Sequence, residues 1–361
     1  MPSRTLQILP PGFIPPYLLS RLAEHASASI SARAVNTLTI DREHRALRGF
    51  VPPKLASGTA STTAARPRPA RPNSPERAIH DAARTTTLPG KLVRTEGKPA
   101  TGDIAADEAY DYLGATWRLY HDVYERDSID GASMPLTGSV HYGKDYDNAF
   151  WNGEQMVFGD GDGEVMNRFT IAVDIIGHEL THGVIDHEAG LVYQGQPGAL
   201  NESICDVFGV LVKQHSLRQT AQQADWLIGA GLFMPSVRAK ALRSMAEPGT
   251  AYDDPVIGKD PQPAHMKDFV TTSQDNGGVH INSGIPNRAF YLAAMAIGGQ
   301  AWETAGRVWY DAVCDKRLRQ DADFEAFATL STDVASRRFG AGSAVHKAVA
   351  DAWLAVGVIS P

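Results

Sequence analysis

The pentapeptide His178-Glu179-Leu180-Thr181-His182 carries two imidazoles four positions apart, with a carboxylate beside the first. On a helix, residues so spaced lie on one face, with Cβ atoms roughly 6 Å apart. His178 and His182 can therefore both offer a ring nitrogen to one metal ion. Glu179 points to the side of that pair, from where it can reach a metal-polarised water without taking a coordination position. Zinc suits the set: neutral imidazoles bind it at about 2.0–2.1 Å, and a catalytic site keeps one position open. The flanks Ile171, Val173, Ile175, Ile176, Val184 and Ile185 are apolar. The helix is thus a core helix, and a buried His pair with a carboxylate needs partners.

A third ligand appears downstream. Nineteen residues separate His182 from Glu202, which sits in Asn201-Glu202-Ser203-Ile204-Cys205-Asp206. Glu202 can complete a His-His-Glu set. Asp206, four residues on, shares its helical face. Asp206 or Asn201 can hydrogen-bond the ligand histidines from behind and so fix ring orientation and tautomer.

These side chains need a helix from about Asp174 to Asp186, a second helix through Glu202, and walls on either side. Between 78 and 173 the chain reads as strand and turn over 77–94. A helix follows, N-capped by Asp103, with Ala106, Ala109, Tyr110, Leu113 and Trp117 at core spacing. Short strands come next near 139–142 and 155–158. Gly159-Asp160-Gly161-Asp162-Gly163 is a turn without the later ligands of a calcium loop. Residues 187–361 are mainly helical, with periodic segments at 286–297, 301–318, 323–338 and 343–356. In the last, Val345, Val349, Ala352, Trp353 and Val356 form an apolar stripe. The expected class is α+β, with a β-rich first lobe (78–186, including the active-site helix) and a helical second lobe (187–361).

Two further units precede them. Residues 1–48 form a small unit in which Pro15 and Pro16 fix an extended entry to a short helical pattern through Ala23. Residues 49–77 are rich in Pro, Ser, Thr and Ala with little large apolar content, so they read as a linker open to proteolytic nicking between about Arg48 and Arg77. Charge divides along the same line: residues 1–77 carry a net +7 and residues 78–361 a net −14, which suggests that the front piece is held electrostatically against the body. No run of about 18 apolar residues is present, so no membrane span is expected. The first residues lack the apolar core of a standard secretory signal. Cys205 and Cys314 allow one disulfide, though Cys205 reads more simply as a small buried residue.

Five separated motifs, in order, resemble the thermolysin family of zinc metallopeptidases. They are Tyr146 through Gly163, His178 through Gly183, Gly190 through Gln194, Asn201 through Gly209, and Asp275 through Gly284, with Leu242-Arg243-Ser244-Met245 before the last. The resemblance covers roughly 78–361. Pro-Pro-Tyr17-Leu-Leu near the N-terminus is similar to the short propeptide of protealysin-like members. The resemblance implies a two-lobe metalloendopeptidase made as a zymogen, with one catalytic zinc held by His178, His182 and Glu202. It implies Glu179 as general base, His280 and Tyr193 as oxyanion donors, and Asp275 as the group that orients His280. Asn148 and Ala149 match the edge that binds substrate backbone, Arg243 the holder of a substrate carbonyl, and Trp151 a neighbouring site residue. Phe169, Ile175 and Leu242 match the apolar pocket beyond the cut, so cleavage before Leu, Phe, Ile or Val is expected.

Calcium is expected to be weak or absent. Thermolysin binds several calcium ions; here Asp174 and Asp225 keep two carboxylates of the double site. Lys213, Leu227 and Ala230 replace others, and Lys240 replaces a carboxylate of a second site. A cation where an anionic ligand is needed argues against a divalent ion. The pro-segment has no cysteine, so it is expected to inhibit by placing the Pro-Pro-Tyr17 region in the cleft. The partners expected are protein and peptide substrates, with no nucleic acid or membrane, for a monomer. Secretion follows from the resemblance, with cytoplasmic retention left open by the missing signal. Two rivals remain. A metal aminopeptidase would need an acidic grip on a free amine, which Asn148 and Arg243 do not supply. A non-catalytic zinc-binding or peptide-binding protein would have lost a base or ligand, and none is lost.

Overall fold

In the computed structural model, which describes residues 12–48 and 74–360, the N-terminal segment is a helical hairpin, α1 (Pro16–His25) and α2 (Ala28–Arg48). The reading of 49–77 as a linker falls almost wholly outside the described residues. Pro16 at the first helical position suits α1, since its missing N–H is one the helix leaves unpaired anyway. The second helix buries Ile30, Ala34 and Leu38 at four-residue spacing, a stripe the sequence reading passed over.

The first lobe is built on a five-stranded mixed sheet ordered β2-β1-β3-β5-β4, from β1 (Arg77–Asp81), β2 (Lys91–Thr95), β3 (Leu136–Val140), β4 (Ala149–Trp151) and β5 (Met156–Phe158). β1, β3 and β5 run parallel, with Ile79 opposite Gly138 and Gly138 opposite Met156. β4 pairs antiparallel with β5, Ala149 opposite Phe158, and forms an edge. Helix α3 (Ile104–Arg118) covers the sheet, and Asp103 caps it as expected, accepting from the Ala106 N–H at 3.0 Å. Asp162 of the glycine-rich turn accepts backbone N–H bonds from Glu164, Val165 and Met166, so it closes the turn.

Helix α4 (Val173–His187) runs through the middle of the molecule and packs on α5 (Gly195–Leu217). Two glycines set their distance. A Cβ on Gly177 would lie 3.0 Å from the Gly209 Cα, and one on Gly209 would lie 2.6 Å from the Asp174 carbonyl oxygen. The backbones can therefore approach closely enough for side chains of α5 to reach those of α4. The second lobe adds β6 (Leu227–Ile228) with β7 (Arg243–Ser244), β8 (Asp253–Asp254) with β9 (Gly258–Lys259), and five helices: α6 (Asp275–Asn282), α7 (Gly284–Ile297), α8 (Ala305–Cys314), α9 (Phe324–Phe339) and α10 (Ala344–Ala355). Trp309 stacks on Trp353 at 5.8 Å between ring centroids, and Val349, Ala352 and Trp353 of the expected stripe are buried. Cys205 and Cys314 are both free thiols. No described helix is long and apolar enough to cross a membrane.

His141 ties the start of α3 to the loop after β5. Its ring bonds Asp160 at 2.6 Å and Asp103 at 2.9 Å, with Arg84 3.7 Å from Asp160. The Asp160 carboxylate, then Asp103, raises His141 to about 9, against an ordinary value of about 6.5. A raised histidine contributes stability that is fully present below its unfolded value and is lost as pH rises through the folded one. His141→Asn tolerates the left-handed backbone at this position (φ 54°). Its Tm deficit is expected to be largest below about pH 6.5 and to narrow toward pH 10. Melting curves across that range check it; a deficit that does not vary with pH would exclude the charge as the cause.

Candidate active site

Helix α4 presents His178 and His182 on its face toward α5, both 2 % exposed or less. Their rings are 4.9 Å apart. His178 Nε2 lies 3.4 Å from Glu202 Oε2, and His182 Nε2 lies 3.5 Å from Glu202 Oε1. The opposite ring nitrogens are tied down: His178 Nδ1 to Asp206 at 2.8 Å, His182 Nδ1 to Asn201 at 2.9 Å. Each histidine thus turns Nε2 toward one point that the Glu202 carboxylate also faces. Both partners come from α5, Asn201 directly before Glu202 and Asp206 one turn after it.

Two anionic oxygens in this space, Glu202 Oε2 and Glu179 Oε1, are buried with no hydrogen-bond partner among the described residues. An orphan buried carboxylate oxygen is costly, and a cation between the two imidazoles relieves it. The residues fit zinc, with two imidazoles and one carboxylate converging. The Cys205 Sγ also lies within 4.8 Å of a ring nitrogen of each histidine. However, its Sγ is 3.2 Å from His182 Nδ1, the nitrogen Asn201 holds, and burial pushes the thiol well above its ordinary value. It backs the ring rather than facing the shared point.

Glu179 is 1 % exposed, and its Oε2 accepts from the Trp151 N–H of edge strand β4 at 2.9 Å. Burial pushes its carboxyl up to about 7, against the opposing pull of His178. On the far side, His280 and Tyr193 approach Glu202. Tyr193 donates a short hydrogen bond to Glu202, and His280 Nε2 lies 3.4 Å from the Tyr193 hydroxyl. Asp275 takes both the His280 N–H, at 2.9 Å, and Nδ1, at 2.6 Å. That reach requires a tight reversal: Asp275, Asn276, Gly277 and Gly278 all have φ between 48° and 82°, which glycine adopts freely and Asp or Asn tolerates.

Arg243 extends from β7 to the same network. Its Nε and Nη2 donate to Asp206 at 2.8 and 2.7 Å, while Nη1 has no partner among the described residues. Leu242, Phe169 and Ile175 are all buried beside this region. The residues His178, His182, Tyr193, Glu202 and His280 are therefore brought together around the Glu202 carboxylate, with Trp151 bonded to the neighbouring Glu179. Three participants were missed. Asn287 of α7 donates to Asp206 at 2.8 Å. Asp41 of α2 accepts from Asn148 Nδ2 at 3.1 Å and from the Tyr146 hydroxyl at 2.7 Å. The third is the stretch Gly12–Ile14, whose backbone pairs with Asn148 and Ala149. The Pro15-Pro16-Tyr17 stretch follows directly, and Tyr17, partly buried, lies within electrostatic reach of Tyr252, Asp260 and Asp275.

Sequence profiles agree with this geometry. The thermolysin metallopeptidase catalytic domain matches residues 70–186, and the α-helical domain of the same peptidases matches 189–358. The chain belongs to the thermolysin family. An extracellular metalloprotease of Pectobacterium carotovorum subsp. carotovorum is 60 % identical over 282 residues, 78 % of this chain and 81 % of that protein. Protease PrtS of Photorhabdus sp. (strain Az29) is 47 % identical over 349 residues, 96 % of this chain and 92 % of that one. Among solved structures, the precursor of protealysin, a metalloproteinase from Serratia proteamaculans, superposes with a TM-score of 0.86 at 54 % identity, covering 96 % of this chain and 99 % of the other. Like other thermolysin-family enzymes, the protein is a zinc metalloendopeptidase, and its fold joins a β-containing first domain to a helical second one.

Proposed function

We propose that this thermolysin-family enzyme is made as a zymogen and cuts peptide bonds ahead of large apolar residues, with His178, His182 and Glu202 holding one zinc. The observation that carries the reading is the convergence of two Nε2 atoms and an unpartnered Glu202 oxygen on one buried point beside Glu179. The ion, when bound, supplies Lewis acidity that polarises a carbonyl and makes water acidic near neutrality. Glu179 takes the proton of the attacking water on Oε1 while the Trp151 N–H holds Oε2, then passes that proton to the leaving amine. His280 Nε2 and the Tyr193 hydroxyl donate to the oxyanion of the tetrahedral intermediate, with Asp275 holding Nδ1 so that Nε2 faces inward. Asn148 and Ala149 bind substrate backbone as an added strand. The free Nη1 of Arg243 meets a carbonyl beyond the cut, while its other nitrogens stay on Asp206.

Residues 1–48 are the inhibitory pro-segment, and cutting within 49–77 releases them. The charge pattern supports this: Arg33 of α2 bonds Asp147 at 2.5 and 3.0 Å and Asp145 at 2.6 Å. Export from the cell is carried over from relatives named as extracellular proteases.

Calcium is not required. Lys213 Nζ lies 2.8 and 2.9 Å from the two oxygens of Asp225, 3.4 Å from Asp174 and 3.2 Å from the Leu227 carbonyl. An ammonium among these oxygens supplies the positive charge a divalent ion would bring. Cleavage of casein is therefore expected to stop on dialysis against a chelator and to return with zinc alone. Millimolar calcium should leave Tm within about 1 °C, since a ligand stabilises only by binding the folded state. Return of activity only with calcium, or a rise of many degrees at micromolar calcium, would refute the assignment.

A further inference from the structure

A guanidinium is seated in an acidic cradle beside edge strand β4. Arg33 of α2 reaches the two oxygens of Asp147 with Nη2 and Nε, at 2.5 and 3.0 Å, and Asp145 with Nη1 at 2.6 Å. Its Nη2 also donates to the Gly161 carbonyl at 2.9 Å, and Asp162 adds negative charge from the same turn. Asp147 thus takes the guanidinium side-on, both oxygens at once, a geometry that a planar fork fits and an ammonium does not. Gly161 supplies its carbonyl with φ at 73°, and a Cβ there would collide with the Asn167 carbonyl. Asp147 is buried, whereas the Asp145 side chain is 45 % exposed. Burial pushes the Asp147 carboxyl up, and Arg33 is the cation that opposes it.

The cradle continues the substrate edge. Asp147 directly precedes Asn148 and Ala149. A chain added to this edge runs antiparallel to β4: Phe13 bonds Ala149 and Ile14 bonds Asn148, so the next residue along comes level with Asp147. Here the extended stretch stops at Pro15, where α1 begins, and Asp147 receives its cation from α2 instead. The Asp147 N–H is covered from the same helix, donating to the Thr37 hydroxyl at 3.0 Å. Loss of residues 1–48 would therefore take the cation from Asp147 and Asp145, the donor from the Gly161 carbonyl and the acceptor from the Asp147 N–H together. A carboxylate left in that state at a binding edge is relieved by a cation that arrives with the substrate.

We propose that in the processed enzyme Asp147, Asp145 and the Gly161 carbonyl form a subsite for an arginine side chain of the substrate, two or three residues after the cut. The proposal rests on the reading that β4 binds substrate as an added strand, and it names a substrate class for that site: peptides in which arginine follows closely on the apolar residue after the cut. Lysine, a point charge without the fork, is served less well.

The test uses processed, zinc-loaded enzyme on quenched fluorescent peptides that differ only in the second or third residue after the cut. That residue is arginine, lysine or citrulline, which keeps the shape of arginine without its charge. At one of the two positions the arginine peptide is expected to be cleaved about tenfold or more faster than the citrulline peptide, in kcat/KM. The gain should lie mainly in KM and shrink in about 1 M salt. Asp147→Asn should bring the ratio to about one, and Asp145→Asn, at an exposed carboxylate, should lower it by less. Asn148→Ala should raise KM for all the peptides alike; if it does not, the added-strand reading itself fails. Equal rates for the arginine and citrulline peptides, with Asn148→Ala still impaired, would overturn the arginine subsite alone. So would an arginine preference that survives Asp147→Asn. Tight calcium binding by processed enzyme, abolished in Asp147→Asn, would also overturn it and assign these oxygens to a divalent ion.

Discussion

Glu179→Gln is expected to lower kcat/KM about a thousandfold or more while zinc content stays unchanged. The amide has nearly the shape of the carboxylate, and its oxygen can still accept the Trp151 N–H that fixes Oε2. What it loses is the ability to take a proton on the second atom, the buried Oε1 that no described group bonds. Neither histidine nor Glu202 is altered, so metal content separates loss of the base from loss of the site. Glu179→Ala is a poorer test, because it opens a void and leaves the Trp151 N–H unpaired in a buried place. Steady-state kinetics beside metal analysis decide the matter. Retention of more than about a tenth of the activity would remove Glu179 from the proton-transfer role, since general-base loss costs at least about a hundredfold.

The proposed ligands were legible because their chemistry and spacing coincide. A step of four positions from His178 to His182 is one helical turn, and Glu202 and Asp206 repeat that spacing on the facing helix. Lys213 was legible for a similar reason, since a cation among carboxylates changes the sign of a site, and it is found bonded to both Asp174 and Asp225. The missed residues lack such signals. Gly12, Phe13 and Ile14 carry no titratable group, and their partners lie more than 130 residues away. The α2 face that docks on the loop at 144–148 is made of Arg33, Asn36, Thr37 and Asp41. Its hydrogen bonds are made by polar side chains with no motif spacing, beside a short apolar stripe of Ile30, Ala34 and Leu38. Asn287 resembles any helical amide until α7 is seen to place it on Asp206. The depth of the α4–α5 contact depends on Gly177 and Gly209, whose effect is steric and appears only when both helices are placed.

Asp206 is where stability and chemistry meet, and Asp206→Ala is expected to cost about 3–5 kcal/mol, the range for breaking a buried ion pair. The carboxylate is fully buried and takes four bonds: His178 Nδ1, Arg243 Nε and Nη2, and Asn287 Nδ2. Burial opposes its charge, but Arg243 and His178 outweigh that and hold it down to about 2. Removing it leaves the Arg243 guanidinium charged in a place 1 % exposed, with no described acceptor for its three nitrogens. His178 also loses the bond that turns Nε2 inward, so zinc affinity should fall about 10–100-fold. Asn287→Ala takes one bond from the same carboxylate and leaves both charges paired, so its cost should be smaller, about 1.5–3 kcal/mol. A cycle with Arg243→Met separates the contributions. If the unpaired guanidinium carries the loss, the double variant should recover at least about 1 kcal/mol relative to the sum of the single ones. Urea unfolding of the zinc-loaded variants gives these energies, and competitive chelation gives the affinity. Additive losses with unchanged zinc affinity would mean that Asp206 merely fills space between α5 and β7.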